Sequence, residues 1–373
     1  MSTRVVLSAG DPAPWFKQRS FANPDYSFDT VAGRYIVLCY FGSAADAHSQ
    51  AAIAAVRGQE TIFDDDFACF FGISIDPNDE SETRIADSYP GYRFFWDFDG
   101  KIGQLYGTLP PGGDAQEADV HRSWFVLDPT MRLMRVIPFR EDQGDIAELT
   151  AFMSRLPESS RFAGFEVNAP ILILPQVFEP EFCQTLIDLY NENGGQESGF
   201  MREKEGRTVG VSDYSHKRRK DFHLSDEGII KQTQQRVLRR VVPEILKVHQ
   251  FRVTRMERYL VGCYSAEDGG HFNAHRDNTT SGTAHRRFAV SINLNEDFDG
   301  GEVGFPEYGP KRYKAPAGGA VVFSCSLLHS VSRVTRGSRY AFLPFLYDDA
   351  AAKIREQNNK YLGEGVRKYE KQK

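Results

Sequence analysis

The pattern of this chain predicts two domains of different class. Residues 1–160 read as an α/β domain, and residues 161–373 as a β-sandwich or jelly roll braced by helices. Three observations carry this. The 373 residues exceed a single domain of ~150 residues. Turn-forming and polar residues cluster in PESSRFAG, near Pro157–Gly164, between two regions of regular patterning. The charge also changes sign there: residues 1–160 carry 13 Lys+Arg against 24 Asp+Glu, a net of −11, and the remainder carries +5.

In the first part, strand-like and helix-like runs alternate. RYIVLCYF (Arg34–Phe41) is an apolar run of buried-strand type, and the alanine-rich stretch Ala44–Val56 favours helix. Phe67–Ile75 is a second apolar run, then come polar residues of helical character and the short run Phe94–Asp97. Ser123–Leu127 and Leu133–Ile137 flank Asp128-Pro129 as a hairpin would.

The second part opens on helices. Glu179-Pro180 reads as N-cap and first helical residue, and Phe182, Leu186, Leu189 and Tyr190 fall on one face. Another helix is expected from Ser225, with Asp226 and Glu227 in a first turn that favours carboxylates. Its apolar face is Ile230, Val237, Leu238, Val241 and Ile245. Beyond Phe251 the period shortens to strands at 252–264, 286–294, 301–305, 319–324 and 338–346.

Composition narrows the function classes. With 41% hydrophobic and 26% charged residues, this is an ordinary soluble chain. MSTRVVLSAGDPAP lacks the ~7–15 apolar residues of a secretory core, and no run nears the ~18 of a membrane span. The expectation is a cytoplasmic protein without a membrane partner. Cys39, Cys69, Cys183, Cys263 and Cys325 are scattered among apolar neighbours, which suits reduced, buried thiols. The basic run HKRRK (His216–Lys220) reads as a solvated loop or lid, with contact to an acidic substrate or partner as the alternative. An acidic chain argues against nucleic acid.

The chemistry concentrates in CYSAEDGGHFNAHRDN, residues 263–278. His275 and Asp277 are two apart, so on a strand they share a face. Further on, LLHSV sets His329 just after the apolar run AVVFS. Two imidazoles and a carboxylate can occupy one face of an octahedron and leave three positions open, as in non-haem iron oxygenases. An H-x-D pair alone is weak evidence. Arg339, ten residues after His329 in GSRYAF, adds a cation at a strand start. His271 reads as a rim or solvent residue rather than a ligand, and His285 as a strand-edge histidine. Arg287 and Asn293 stay open.

Over residues 170–348 this set resembles the 2-oxoglutarate dioxygenases of the prolyl 4-hydroxylase type. Gly300-Gly301-Glu302, PAGGAVVF and HSVSRVTRGSRY belong to the same likeness. The resemblance implies a double-stranded β-helix, with Fe(II) on His275, Asp277 and His329 as catalytic centre. It implies that Arg339 binds the distal carboxylate of 2-oxoglutarate and that Tyr264 lines the co-substrate pocket. It further implies consumption of O2 and hydroxylation of an unactivated C–H bond, with release of succinate and CO2. The substrate, a protein or peptide side chain or a small molecule, stays open. The related halogenases lack the carboxylate, so Asp277 favours hydroxylation.

Residues 1–160 resemble the peroxiredoxin branch of the thioredoxin-like fold in SAGDPAPWF, RYIVLCYFGSA, ISIDP, FWDFDGKIGQLYG and SWFVLDP. That family carries its peroxidatic cysteine in the first turn after the central strand. Here the segment reads GSAADAHSQ, without Cys, Thr or Pro. The expectation is a domain that docks, presents substrate or forms a homo-oligomer, without peroxidase activity. Two other readings compete: a catalytically silent binding or scaffold protein, and a thiol-redox enzyme.

Overall fold

The computed structural model describes residues 4–112, 119–363, 365–366 and 368–369, and these separate into two compact units. One comprises residues up to 168 together with 306–310. The other comprises 169–305 and 311 onward.

The first unit is built on a five-stranded mixed sheet in the order Tyr92–Trp96, Ala68–Ser74, Tyr35–Gly42, Ser123–Leu127, Leu133–Pro138. Its first three strands pair in parallel and the last two join antiparallel. Every residue of Tyr35–Gly42 and Ala68–Ser74 is buried, which explains why both read as continuous apolar runs. The helix Ala47–Arg57 follows the central strand, capped by Asp46, whose carboxylate accepts the Ser49 N–H. This is the thioredoxin-like arrangement expected from the order of the runs.

The second unit contains two main antiparallel sheets, the double-stranded β-helix arrangement, and a separate two-stranded hairpin, Phe200–Lys204 with Arg207–Val211. The larger runs Arg255–Glu257, Phe345–Tyr347, Phe288–Asn293, Ser338–Phe342, Leu260–Ser265, Lys220–His223, Gln196–Glu197, with Ala320–Ser324 attached to Phe288–Asn293 and Leu172–Leu174 attached in turn to Ala320–Ser324. The smaller runs Lys217–Arg218, His271–His275, His329–Val331, Val303–Gly304, Arg312–Tyr313. Leu186, Val241, Ile245, Val261 and Phe342 form a core between the larger sheet and the helices.

The helices brace the sheet much as their patterns predict. Pro180–Asn193 starts at Glu179, but the Glu179 carboxylate does not cap it. It pairs instead with Arg236 at 2.6 Å and with Arg240, and the Arg240 bond first and then Arg236 lower its pKa to about 2. The second helix begins at Glu227, because Asp226 accepts the Ile229 N–H at 2.7 Å as its cap. It breaks before Val242–His249, whose first turn holds Pro243, a residue without an N–H for the ladder. Leu238 departs from expectation: it is 62% exposed, on the outer side of the helix face. The expected strand over 252–264 is also interrupted, at Arg258, which adopts φ 65°. Among the described residues, no helix is long and apolar enough to cross a membrane.

Candidate metal centre

His275 ends the strand His271–His275, and His329 opens the neighbouring strand His329–Val331. The pairing sets these two residues directly opposite each other, after a register irregularity between Phe272 and His275. Asp277 lies just beyond the strand rather than on it. Its N–H donates to the Cys325 carbonyl at 2.9 Å, which returns the carboxylate towards the histidines. His275 Nε2 is 3.7 Å from Asp277 Oδ1, and His329 Nε2 is 3.3 Å from Asp277 Oδ2. One ligand atom from each residue lies within 4.8 Å of the others.

Hydrogen bonds on the far side of each ring decide which nitrogen faces the cluster. His275 Nδ1 lies 2.8 Å from the Asn273 carbonyl, and His329 Nδ1 lies 3.1 Å from the Leu327 carbonyl. A carbonyl only accepts, so each Nδ1 carries the proton and each Nε2 keeps a lone pair. Burial, and then the His275 charge, pull the His329 pKa down to about 4 despite Asp277, so this ring is neutral at physiological pH. For Asp277, burial would raise the pKa, but His329 and His275 outweigh it and hold the group well below the usual range. Two imidazoles, each with Nε2 towards the cluster, and one carboxylate form a donor set that suits a divalent first-row metal. Phe272 stacks on His275 at a centroid distance of 3.5 Å, and Phe323 flanks His329 at 4.6 Å, so apolar rings hold both ligands.

Arg339 sits opposite Tyr264 in the pairing of Ser338–Phe342 with Leu260–Ser265. It is 2% exposed. Nε donates to Asn293 Oδ1 at 2.9 Å and Nη2 to Ser291 Oγ at 2.6 Å. Nη1 is buried and has no partner among the described residues. Burial lowers the Arg339 pKa, and Tyr264 and the more distant Glu302 do not reverse that. A buried cation with an unused donor is costly unless an anion completes it, so this residue fits a ligand carboxylate. Gly301 makes room for it: at φ +67°, a Cβ there would lie 3.0 Å from the Arg339 Cδ. Asn293, left open by the sequence, is thereby placed as a holder of Arg339, whereas Arg287 Nη1 bonds the Ala284 carbonyl at 2.8 Å.

Three expectations are overturned nearby. HKRRK is not a solvated loop, because Lys217 and Arg219 are 4% and 6% exposed and lie on or beside short sheet strands. Lys217 Nζ donates to Ser198 Oγ and the Gly199 carbonyl, both at 2.6 Å, while burial and then Arg219 push its pKa far down. His271 is not at the rim: it is buried between the carbonyls of Gly269 and Ser215, at 2.8 and 3.1 Å. His285 is not a strand-edge residue either. It is 2% exposed and shares Glu257 with Arg286 and Arg355. Spacing gave no hint of Ser291 or Arg219 beside Arg339 and Tyr264, since a serine in a strand and an arginine in a basic run are both commonplace.

In the first unit, the turn that opens Ala47–Arg57 holds Asp46, His48 and Ser49, and Arg122 closes onto Asp46 in an ion pair. Cys39 is fully buried in the central strand, where burial drives its thiol pKa well up.

Known families match both parts. Residues 259–347 match the 2OG-Fe(II) oxygenase superfamily, and residues 9–136 match the AhpC/TSA family. A PKHD-type hydroxylase of Pseudomonas fluorescens is 42% identical over 91 residues, covering 22% of this chain and 39% of its own length. A PKHD-type hydroxylase of Pseudomonas aeruginosa is 38% identical over the same shares of the two chains. The chain thus spans about two fifths of these relatives. A solved prolyl hydroxylase of Trichoplax adhaerens, in complex with a peptide fragment of hypoxia inducible factor, is similar at 17% identity. Its TM-score is 0.38, over 50% of this chain and 85% of that one. The N-terminal part of this chain therefore carries an AhpC/TSA-family domain, and its C-terminal part a 2OG-Fe(II) oxygenase domain of the kind found in PKHD-type hydroxylases.

Proposed function

We propose that the protein is an Fe(II)- and 2-oxoglutarate-dependent hydroxylase, divided as residues 1–160 and 161–373. In this reading His275, Asp277 and His329 hold the iron, Arg339 anchors the distal carboxylate of 2-oxoglutarate, and Tyr264 lines the same pocket. The observation that carries the proposal is the three-residue cluster with both Nδ1 atoms committed to carbonyls. The unpaired Nη1 of Arg339 adds to it. Bound there, iron supplies the oxygen chemistry, in which 2-oxoglutarate yields succinate and CO2 and a substrate C–H bond is hydroxylated. The chain's own residues orient and neutralise. Asn273 and Leu327 fix the two imidazoles, Asn293 and Ser291 aim the guanidinium, and Phe272 and Phe323 pack against the two imidazole rings.

The test is anaerobic titration of the purified protein with Fe(II) and 2-oxoglutarate, followed by admission of air. A visible metal-to-ligand charge-transfer band, and then succinate, are expected. Folded protein that shows neither would favour a binding or scaffold role instead.

Arg339→Ala is expected to raise the 2-oxoglutarate requirement by at least ~10-fold, the loss of a charge-assisted bond of about 1.5–3 kcal/mol. Co-substrate titration of the variant checks this, and an unchanged requirement would move the anchor elsewhere.

In the same reading the N-terminal domain docks, presents substrate or mediates self-association, and is not a peroxidase. Cys39→Ser with Cys69→Ser should leave hydrogen peroxide consumption at the parent level. A clear drop in the double variant would revive the thiol-redox reading.

A further inference from the structure

The buried side of Tyr264 carries a second arginine. Arg219 Nη1 donates to Tyr264 Oη at 3.2 Å, and the Tyr264 ring is close to both guanidiniums, 5.6 Å from that of Arg219 and 5.3 Å from that of Arg339. Two cations so close to one phenol would repel each other, but they are not equivalent. Arg219 is held by Asp221 through Nε at 2.6 Å and Nη2 at 2.8 Å. Ser198 joins them, donating to Asp221 Oδ2 at 2.5 Å and accepting from Lys217. The Arg219 charge is therefore paired directly with a carboxylate, one that Arg258 also approaches at 3.5 Å, whereas Arg339 hydrogen-bonds only neutral oxygens.

The direction of the Arg219 bond matters. A guanidinium can only donate, so Tyr264 Oη is the acceptor and its own O–H remains to be given. Among the described residues Tyr264 donates to none. Ordered this way, the phenol keeps a proton to give while its ring lies 5.3 Å from the Arg339 guanidinium, so the phenol O–H and the unpaired Arg339 nitrogen are two donors suited to one carboxylate.

We propose that Arg219, clamped by Asp221, is a positioning residue that fixes the Tyr264 hydroxyl as a hydrogen-bond donor to the distal carboxylate of the co-substrate. This rests on the reading of Arg339 as the 2-oxoglutarate anchor. Arg219 touches neither metal nor co-substrate and acts through Tyr264.

The experiment is equilibrium binding to the full-length protein loaded with Mn(II), which tests affinity without turnover. The ligands are 2-oxoglutarate and 2-oxobutyrate, which lacks the distal carboxylate. Arg219→Lys keeps a cation for Asp221 but shortens the reach to Tyr264, Tyr264→Phe removes only the hydroxyl, and the double variant closes the cycle. Each single variant should weaken 2-oxoglutarate by about 3- to 10-fold, the scale of one hydrogen bond, and leave 2-oxobutyrate and Mn(II) unchanged. The double variant should be no worse than Tyr264→Phe. Additive losses, or equal weakening of both oxo acids, would show a merely structural Arg219 and overturn the inference. Should Arg219→Lys not fold, Tyr264→Phe decides alone, and unchanged 2-oxoglutarate binding overturns the proposal. If the parent protein binds no 2-oxoglutarate, the anchor reading itself fails, and this inference with it.

Discussion

Asp277→Ala is expected to abolish metal loading and, with it, 2-oxoglutarate turnover. The carboxylate is the only anionic member of the cluster, and it approaches both imidazoles at 3.7 and 3.3 Å. Without it, two neutral nitrogens on adjacent strands must hold a dication in a buried setting, with no charge to offset its lost hydration. Even partners outside the ligand shell change metal affinity by ~10–100-fold when removed, so losing a ligand should exceed about 100-fold. Metal content after desalting and Fe(II) affinity measured anaerobically check this. Near-parental iron in Asp277→Ala would refute the ligand assignment. Secondary structure should survive, because the strands around Asp277 are paired through backbone groups.

Glu257→Gln is expected to cause the largest loss of stability. Glu257 is 6% exposed and accepts from His285 at 3.0 Å and Arg286 at 2.8 Å, with Arg355 at 2.5 Å on its second oxygen. Arg355 lies on the helix Asp349–Gln357, so this one carboxylate ties that helix to the larger sheet. An amide cannot balance the two partly buried guanidiniums around this buried site, and breaking a buried ion pair from one side costs about 3–5 kcal/mol. The urea midpoint of the C-terminal transition should fall accordingly. A midpoint within ~0.5 kcal/mol of the parent would show that the cluster is screened by solvent. The pH dependence has a definite sign. Burial would raise the Glu257 pKa above its ordinary 4.5, but Arg286, His285 and Arg355 more than reverse this. A folded pKa below the unfolded one means the contribution is complete above about pH 5 and is lost as the pH falls. For His285, burial lowers the pKa despite Glu257, so acid also penalises the folded state through this ring. Acid unfolding should therefore begin at higher pH in the parent than in a variant where the cluster is replaced by apolar residues.

How far the sequence could be read depended on what each residue type does at short range. The runs Arg34–Phe41 and Phe67–Ile75 announced buried parallel strands, because strands covered on both faces have no polar side to show. Pro180, at the first helical position, and Asp226, as a cap, marked helix starts through local chemistry. The hairpin Phe200–Lys204 with Arg207–Val211 was missed, although its signal is present: Glu205-Gly206 takes positive φ at both turn positions, as a two-residue hairpin requires. Polar strands on either side hid it. His271–His275 was also not anticipated as a strand, since its glycine-rich approach resembles a loop.

Two kinds of information separate at the candidate site. The H-x-D pair, the later histidine and the arginine ten residues beyond it are legible as spacing, because ligands on neighbouring strands inherit their separation from the backbone. Which imidazole nitrogen faces the cluster, where Asp277 turns back, and how Arg339 is left with one free donor are decided by carbonyls, an asparagine and a serine supplied from other strands. The same holds for Lys217, Arg219, Asp221, His271 and His285. Each is polar and reads as solvent-facing, yet each is buried because partners distant in the chain satisfy it. A hydrogen-bonding group can be buried only where its partners converge, and that convergence exists in three dimensions and not along the chain.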